Sequence, residues 1–379
     1  MRAATAAVVL AIAAPAFAQQ TRAAQIGAEQ AEKATRLHSY EPDRLEERLE
    51  SIDAAMLSTR PVYPFIGSVL AGGGLAIGPG YRGRFGDSGR FDTHAAWSVK
   101  NYKAADATVT LPPFAAGRMT FVARANWRDA PDVAFYGAGN ESRKDDRMGF
   151  SYTASTAGLS SRVKVAGPFA VGGGVDATRI ESRGTRGNPM ATVRPAYITS
   201  RAFAEIDSRT AARYTRRGGL YRVEWSDHRQ TNAGPYTFGR VDAEVQRFIP
   251  ILRERCVVAL RALASSTTTA AGHDVPDFLL PDLGGSHTLR GYSAWRFRDR
   301  NRLLLTGEYR WTAGPFVDMA LFLDAGKVAA RASDLDLSGL KKVYGIGFSL
   351  HTLTSTITRI EIARTPEGSS LGFSFSPSF

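Results

Sequence analysis

From about Tyr63 to Phe379, apolar and polar positions alternate with a period of two. In RLLLTGEYRW, Leu303, Leu305, Gly307, Tyr309 and Trp311 fall on one face, and Leu304, Thr306, Glu308 and Arg310 on the other. Val241, Ala243 and Val245 alternate in the same way with Arg240, Asp242, Glu244 and Gln246. Tyr221, Val223 and Trp225 do so with Arg222, Glu224 and Ser226. Successive side chains of a strand point to opposite faces, so repeated runs of this kind with turn residues between them predict an antiparallel sheet. The pattern predicts about sixteen strands. The first eight lie near 63–71, 73–84, 91–101, 103–113, 117–129, 148–162, 169–182 and 196–208. The rest lie near 218–230, 236–249, 254–266, 302–312, 316–328, 342–352, 356–364 and 370–379. An even number brings both ends of the sheet to one side, and fourteen is the alternative count.

The function class turns on which face of these strands is wet. A soluble sandwich buries the apolar face, whereas a transmembrane barrel turns it to lipid and encloses the polar face. Three features favour the barrel. Trp127, Trp225, Tyr309 and Trp311 sit at strand ends, where interfacial aromatic girdles form. Tight junctions such as Ala115-Ala116-Gly117 and Gly167-Pro168 contrast with long polar ones at 135–147, 183–195 and 267–301. The chain also closes on an alternating strand carrying Phe373, Phe375 and terminal Phe379. An exposed edge with alternating anchors is what β-augmentation recognises, so these three phenylalanines are read as a C-terminal β-signal for a barrel assembly machinery.

The N-terminal part of the chain has a different pattern. Arg2, an apolar run over Ala3–Ala14 and Ala16-Phe17-Ala18 have the form of a leader peptide over 1–18, implying export. Between 19 and 61 the period becomes helical, with Leu45, Leu49, Ile52, Ala55 and Met56 at three- and four-residue steps until Pro61 stops it. That segment reads either as a periplasmic surface helix or tether, or as a plug or partner-docking helix. The barrel domain is then 62–379.

Composition changes this picture in two respects. Lysine and arginine number 48 against 36 acidic residues, a net charge of +12 that is largely arginine. With an exported chain, nucleic acid is an unsuitable partner. The excess fits lumen-lining faces and the phosphates of lipopolysaccharide at an outer-membrane rim. The single Cys256 excludes an internal disulfide and any multi-cysteine metal or redox site.

The most informative segment is LLPDLGGSHTLRGYSAWRFRDRN, residues 279–301, in the longest loop. It closely resembles the tip of the lumen-inserted loop of the bacterial surface antigen family, the BamA/TamA-like barrels of the outer-membrane assembly-factor superfamily. Leu283, Gly284, Gly285, Leu289, Arg290, Gly291 and Tyr292 carry the match. FYGAGN (135–140), RRGGLYRVEWS (216–226) and the closing GFSFSPSF extend it across 63–379. The resemblance implies that Arg290 meets acidic residues on the inner wall of the following strands. Asp324, in FLDAG, and Glu308, in TGEYRW, are the carboxylates in the matching places. It also implies a role in inserting or passing protein or lipid at the outer membrane, with an unidentified outer-membrane client. The chain departs from that pattern at its start. Only 43 residues, Gln19–Pro61, lie between the leader and the barrel, where such factors carry several POTRA domains.

The physical basis of the motif is independent of the resemblance. An arginine in a lumen of low dielectric needs a carboxylate, and its planar fork suits a two-point contact. Gly284, Gly285 and Gly291 allow the positive φ of a tight loop tip. The alternative role for Arg290–Asp324 is only to fix the loop. The ends of the barrel leave another question open. A short first strand running into Gly72-Gly73-Gly74, and Pro377 in the last, suit a seam that opens sideways; equally, Pro377 sits past the paired part.

No hydrolytic signature is present, neither G-x-S-x-G, H-E-x-x-H nor a G-K-[ST] phosphate loop, and the six histidines lack ligand spacing. No enzyme, cofactor or metal is expected. The sequence therefore predicts an all-β transmembrane antiparallel barrel in a Gram-negative outer membrane. It acts as an assembly or translocation factor or, alternatively, as a structural barrel or narrow passive pore.

Overall fold

The computed structural model describes residues 60–379 except 186, 253, 353, 354 and 376. The expected leader, and the helical segment up to residue 59, lie outside the described residues. The strands in chain order are β1 (Val62–Gly67), β2 (Ala76–Phe85), β3 (Gly89–Ser98), β4 (Lys103–Thr110), β5 (Met119–Phe135) and β6 (Met148–Ala166). They continue with β7 (Phe169–Thr185), β8 (Ala196–Asp207), β9 (Gly218–Gln230), β10 (Phe238–Ile251), β11 (Cys256–Thr268) and two short loop strands, β12 (Asp282–Leu283) and β13 (Phe297–Arg298). The last five are β14 (Asn301–Gly314), β15 (Val317–Ala329), β16 (Lys341–His351), β17 (Thr356–Thr365) and β18 (Gly368–Ser374). Sixteen of them form one antiparallel sheet in the order β1 to β11, then β14 to β18, so each strand pairs with its neighbour in sequence. Sixteen strands, not fourteen, make the nearly closed barrel.

Period-two patterning gives the strands and their sidedness. Outward positions such as Trp97, Trp225, Leu321, Leu323, Ile360 and Ile362 are exposed, while inward Gln246, Glu308, Asp318, Asp324 and Glu361 are buried. Apolar outside and charged inside inverts a soluble protein and is the sidedness of a transmembrane barrel. Several strands depart from the expected bounds, β1 stopping at Gly67 and β6 running on to Ala166 among them, and two do so for a local reason. β5 runs six residues beyond 129 because a bulge between Ala130 and Val133 absorbs Pro131, which has no ladder donor. β18 stops at Ser374, so Pro377 lies past the ladder and costs the sheet no hydrogen bond.

Both ends of the sheet meet at one mouth, called lower here; the long loops 136–147 and 269–300 are at the other, upper mouth. β1 and β18, of 6 and 7 residues, are the two edges of the sheet, and no ladder joins them among the described residues.

Candidate functional site

The loop 269–300 folds into the lumen and holds to the wall at two places. Its first part lays Val275, Phe278 and Leu280 into an apolar cluster with Phe135, Phe150, Tyr197 and Phe238 of the inner wall. Its second part closes on itself through the short β12–β13 pairing, Asp282 opposite Arg298 and Leu283 opposite Phe297. Leu283, Leu289, Tyr292 and Phe297 then pack with Leu263, Leu304, Phe322, Val328 and Val343. Leu283 and Leu289 are fully buried, so the loop is fixed by apolar burial before any charge is counted.

The glycines of the motif have separate tasks. Gly284, Gly285 and Gly291 have φ of 123°, 92° and 90°, values that L side chains rarely adopt. Gly291 also rests on the wall: a Cβ there would stand 2.8 Å from the Ala363 methyl and 2.9 Å from Thr365 Cγ2. The turn between the glycines is sealed by the Thr288 hydroxyl, which accepts from the Gly284 N–H at 2.8 Å.

Arg290 lies at the centre, only 4% exposed. Its Nε and Nη2 donate to Asp324 Oδ2 and Oδ1 at 2.8 and 2.6 Å, and its backbone N–H also reaches Asp324 Oδ2, at 3.2 Å. Its Nη1 donates to Glu308 and, at 2.9 Å, to Glu361 Oε1. The two sequence-predicted carboxylates are therefore brought to Arg290, and Glu361 joins them from β17. Arg310 donates to Glu308 Oε2 at 2.6 Å, and Arg359 pairs with Glu361 at 2.9 Å. Three guanidinium groups thus meet three carboxylates, and the cluster is electrically balanced. A buried charge is tolerated when its fork is satisfied, and all three nitrogens of the Arg290 guanidinium have carboxylate partners.

FLDAG on β15 can now be read residue by residue. The Phe322 ring lies under the Arg290 guanidinium, 3.7 Å from centroid to Cζ. Asp324 takes the fork. Gly326 leaves space for the loop, since a Cβ there would stand 3.0 Å from Leu283 Cδ1 and 3.3 Å from Leu289 Cδ2.

The lower mouth is crossed by the β8–β9 connection, residues 208–217. Tyr214 donates to Asp318 Oδ2 at 2.8 Å and stacks on His351 with centroids 4.2 Å apart. Arg216 donates to the same Asp318 oxygen at 2.8 Å, and Arg213 to Ser355 Oγ at 2.9 Å. The chain terminus occupies the space above. Ser378 Oγ donates to Glu308 Oε2 at 3.1 Å and accepts from Arg310 at 2.8 Å.

The three terminal phenylalanines have different positions. Phe373 is on the outer face of β18, 54% exposed, and packs edge-on against Phe375, which lies just past the strand. Phe379 instead packs inside, 5.7 Å from the Phe248 ring.

Glu361 and Arg359 were missed at the sequence level, although TITRIEIAR carries them on the polar face of an alternating strand. The Tyr214 contacts had no comparable signal beyond a ten-residue connection. No group of three or more metal-ligating side chains is present among the described residues.

No protein-family model matches the chain. No curated protein matches it either. Solved structures do. BamA from Haemophilus ducreyi lacking POTRA domains 1–3 is similar with a TM-score of 0.64 at 14% identity, over 83% of this chain and 69% of that one. CdiB from Escherichia coli gives 0.56 at 14% identity, and CdiB from Acinetobacter baumannii 0.53 at 11%, each over 83% of this chain. The chain spans only 62% and 59% of those two CdiB chains. At such identities what is shared is the fold: a sixteen-stranded barrel of the BamA and CdiB kind.

Proposed function

We propose that this chain is an outer-membrane barrel that assists the insertion or passage of polypeptide at its seam, with the lower mouth facing the periplasm. The observation that carries this reading is the sheet edge: β1 and β18 are short, and no ladder joins them among the described residues. Unpaired edge strands present a row of free backbone donors and acceptors, which is a template for an incoming strand. The ionic brace on β14, β15 and β17 stiffens the wall near β18, so that movement is concentrated at the seam. Export, lipopolysaccharide at the upper rim, and a barrel assembly machinery for the chain's own insertion are part of the same proposal. Cofactor and catalytic chemistry are not.

The test is the folding rate of a urea-unfolded outer-membrane barrel into liposomes with and without this protein. Cys256→Ala with Ile66→Cys and Leu371→Cys allows a bismaleimide to tie β1 to β18. Acceleration that the tie abolishes supports the proposal. A tied barrel that accelerates as well as the free one would sink it. A second reading, a structural barrel without insertase activity, is favoured by the filling of the lumen by loop 269–300 and by the contacts of residues 208–217 across the lower mouth. Under that reading there is no acceleration at all.

A further inference from the structure

The inner wall is electrostatically uneven. Around Arg290 each guanidinium has carboxylate partners. On the lower part of β2, β3, β5 and β6, and in the turn just before β5, Arg84, Arg90, Arg118, Arg124 and Lys164 are exposed, and none makes an ion pair with a carboxylate among the described residues. All five have the inward parity of Arg82, Asp92 and Arg162. Arg84 lies directly opposite Arg90 in the β2–β3 ladder. Arg118 stands opposite Lys164, whose N–H donates to its carbonyl at 2.8 Å. Like charges directly opposite one another destabilise a sheet, and two such pairs at one mouth cost the fold unless something neutralises them.

The surface between these cations is small and mostly polar: Thr108, Thr110, Thr120 and Ser160, with Val122 among them and Gly172 and Gly174 on the next strand. Higher up, the same half of the lumen is filled by the apolar cluster that receives Phe278. The result is a vestibule, reached from the lower mouth, in which five cations without an ion pair outnumber the carboxylates beside them; of these, Asp92 is held by the Tyr63 hydroxyl, and Glu205 and Glu224 by Arg162 and Arg222. Such a cleft concentrates its field on whatever enters.

We propose that this vestibule docks an acidic, unfolded polypeptide segment. Arg118, in the turn just before β5, and Arg124, on β5, are six residues apart, a separation of about 20 Å at a strand's rise. Cations so far apart cannot converge on one phosphate, but they match an extended chain carrying a carboxylate on every second residue. A lipid is disfavoured because Val122 alone, with Phe203 covered by the Arg222 guanidinium, is too small a surface for acyl chains. The proposal deepens the assembly reading by naming the charge class of its polypeptide.

The experiment uses the full chain in nanodiscs, where both mouths are open, and a fluorescent peptide of alternating glutamate and serine as probe. Wild type binds it with an affinity that falls as salt rises. Arg118→Glu with Lys164→Glu weakens binding about tenfold or more. Arg84→Gln with Arg90→Gln weakens it less; with no carboxylate partner lost, it keeps the heat-modifiable mobility of a folded barrel, and so reports if the reversed pair fails to fold. Absence of binding to wild type, or undiminished binding in both folded variants, overturns the proposal. Equal displacement by inorganic tripolyphosphate at matched charge also overturns it, in favour of a small-anion site. A protein that accelerates client folding yet ignores the peptide refutes this inference alone. One that binds the peptide without accelerating folding refutes the assembly reading alone.

Discussion

The Arg290 guanidinium lies over the Phe322 ring, its Cζ 3.7 Å from the centroid, while Phe322 occupies the space that a side chain at Gly345 would need. A Cβ at 345 would stand 2.4 Å from Phe322 Cζ and 2.3 Å from the Ile362 carbonyl oxygen. The brace therefore extends to β16, which offers it no charge. Phe322→Leu keeps the apolar volume but removes the ring beneath a desolvated cation, a loss of about 2 kcal/mol. Gly345→Val forces the ring out and costs more. Both are read as a lower temperature of gel-mobility change; an unchanged midpoint in Phe322→Leu would show that the ring contributes only volume.

Arg290→Ala leaves Asp324 with no cation at its two oxygens and strips one from Glu308 and Glu361. Removing one member of a buried pair costs about 3–5 kcal/mol. The loop should become protease-sensitive near 284–292 at the same time. Arg290→Lys should recover part of the stability but not all of it, because one ammonium cannot serve the two Asp324 oxygens and two glutamates as a fork does. Arg290→Ala combined with Asp324→Ala should be less damaging than the sum of the singles, as expected for a coupled pair. Strict additivity in that cycle would count against the brace.

Tyr214 joins the lower-mouth connection to the far wall. Tyr214→Phe removes the hydrogen bond to Asp318 and keeps the stacking on His351; Tyr214→Ala removes both. Hydrogen bonds to charged groups are worth about 1.5–3 kcal/mol, so both variants should loosen residues 208–217. In planar bilayers, Tyr214→Ala should raise conductance and Tyr214→Phe should raise it less. Conductance equal to wild type in Tyr214→Ala would mean that the connection does not obstruct the pore.

The barrel and half of its brace were legible in the sequence for one reason: parity. A lipid-facing strand must be apolar on every second residue, and the same rule leaves Glu308 and Asp324 inside. Arg359 and Glu361 obey it equally, flanked by Ile360 and Ile362, and could have been added from the alternation alone. The rule fails where the ladder ends. Counting in twos from Leu371 places Phe379 on the face of Phe373, but Ser374 is the last paired residue and the chain turns inward toward Glu308. The reach of residues 208–217 to Asp318 is a long-range contact, and nothing local to a turn names the wall it meets.

Because Phe373 and Phe379 share a sequence pattern but not an environment, their substitutions should separate two roles. Phe379→Ala removes an aromatic contact with Phe248 and apolar packing inside the barrel, a loss of about 1–3 kcal/mol that should appear in thermal stability. Phe373→Ala removes an outward side chain on an edge strand and should leave the midpoint of the folded protein nearly unchanged. If Phe373 acts as a recognition anchor, that variant should slow assembly in the presence of a barrel assembly complex while folding normally into liposomes without it. Comparing both variants in both assays decides the matter. Equal slowing by the two, only with the complex, would return Phe379 to the recognition signal and leave its lumen packing without a role in assembly.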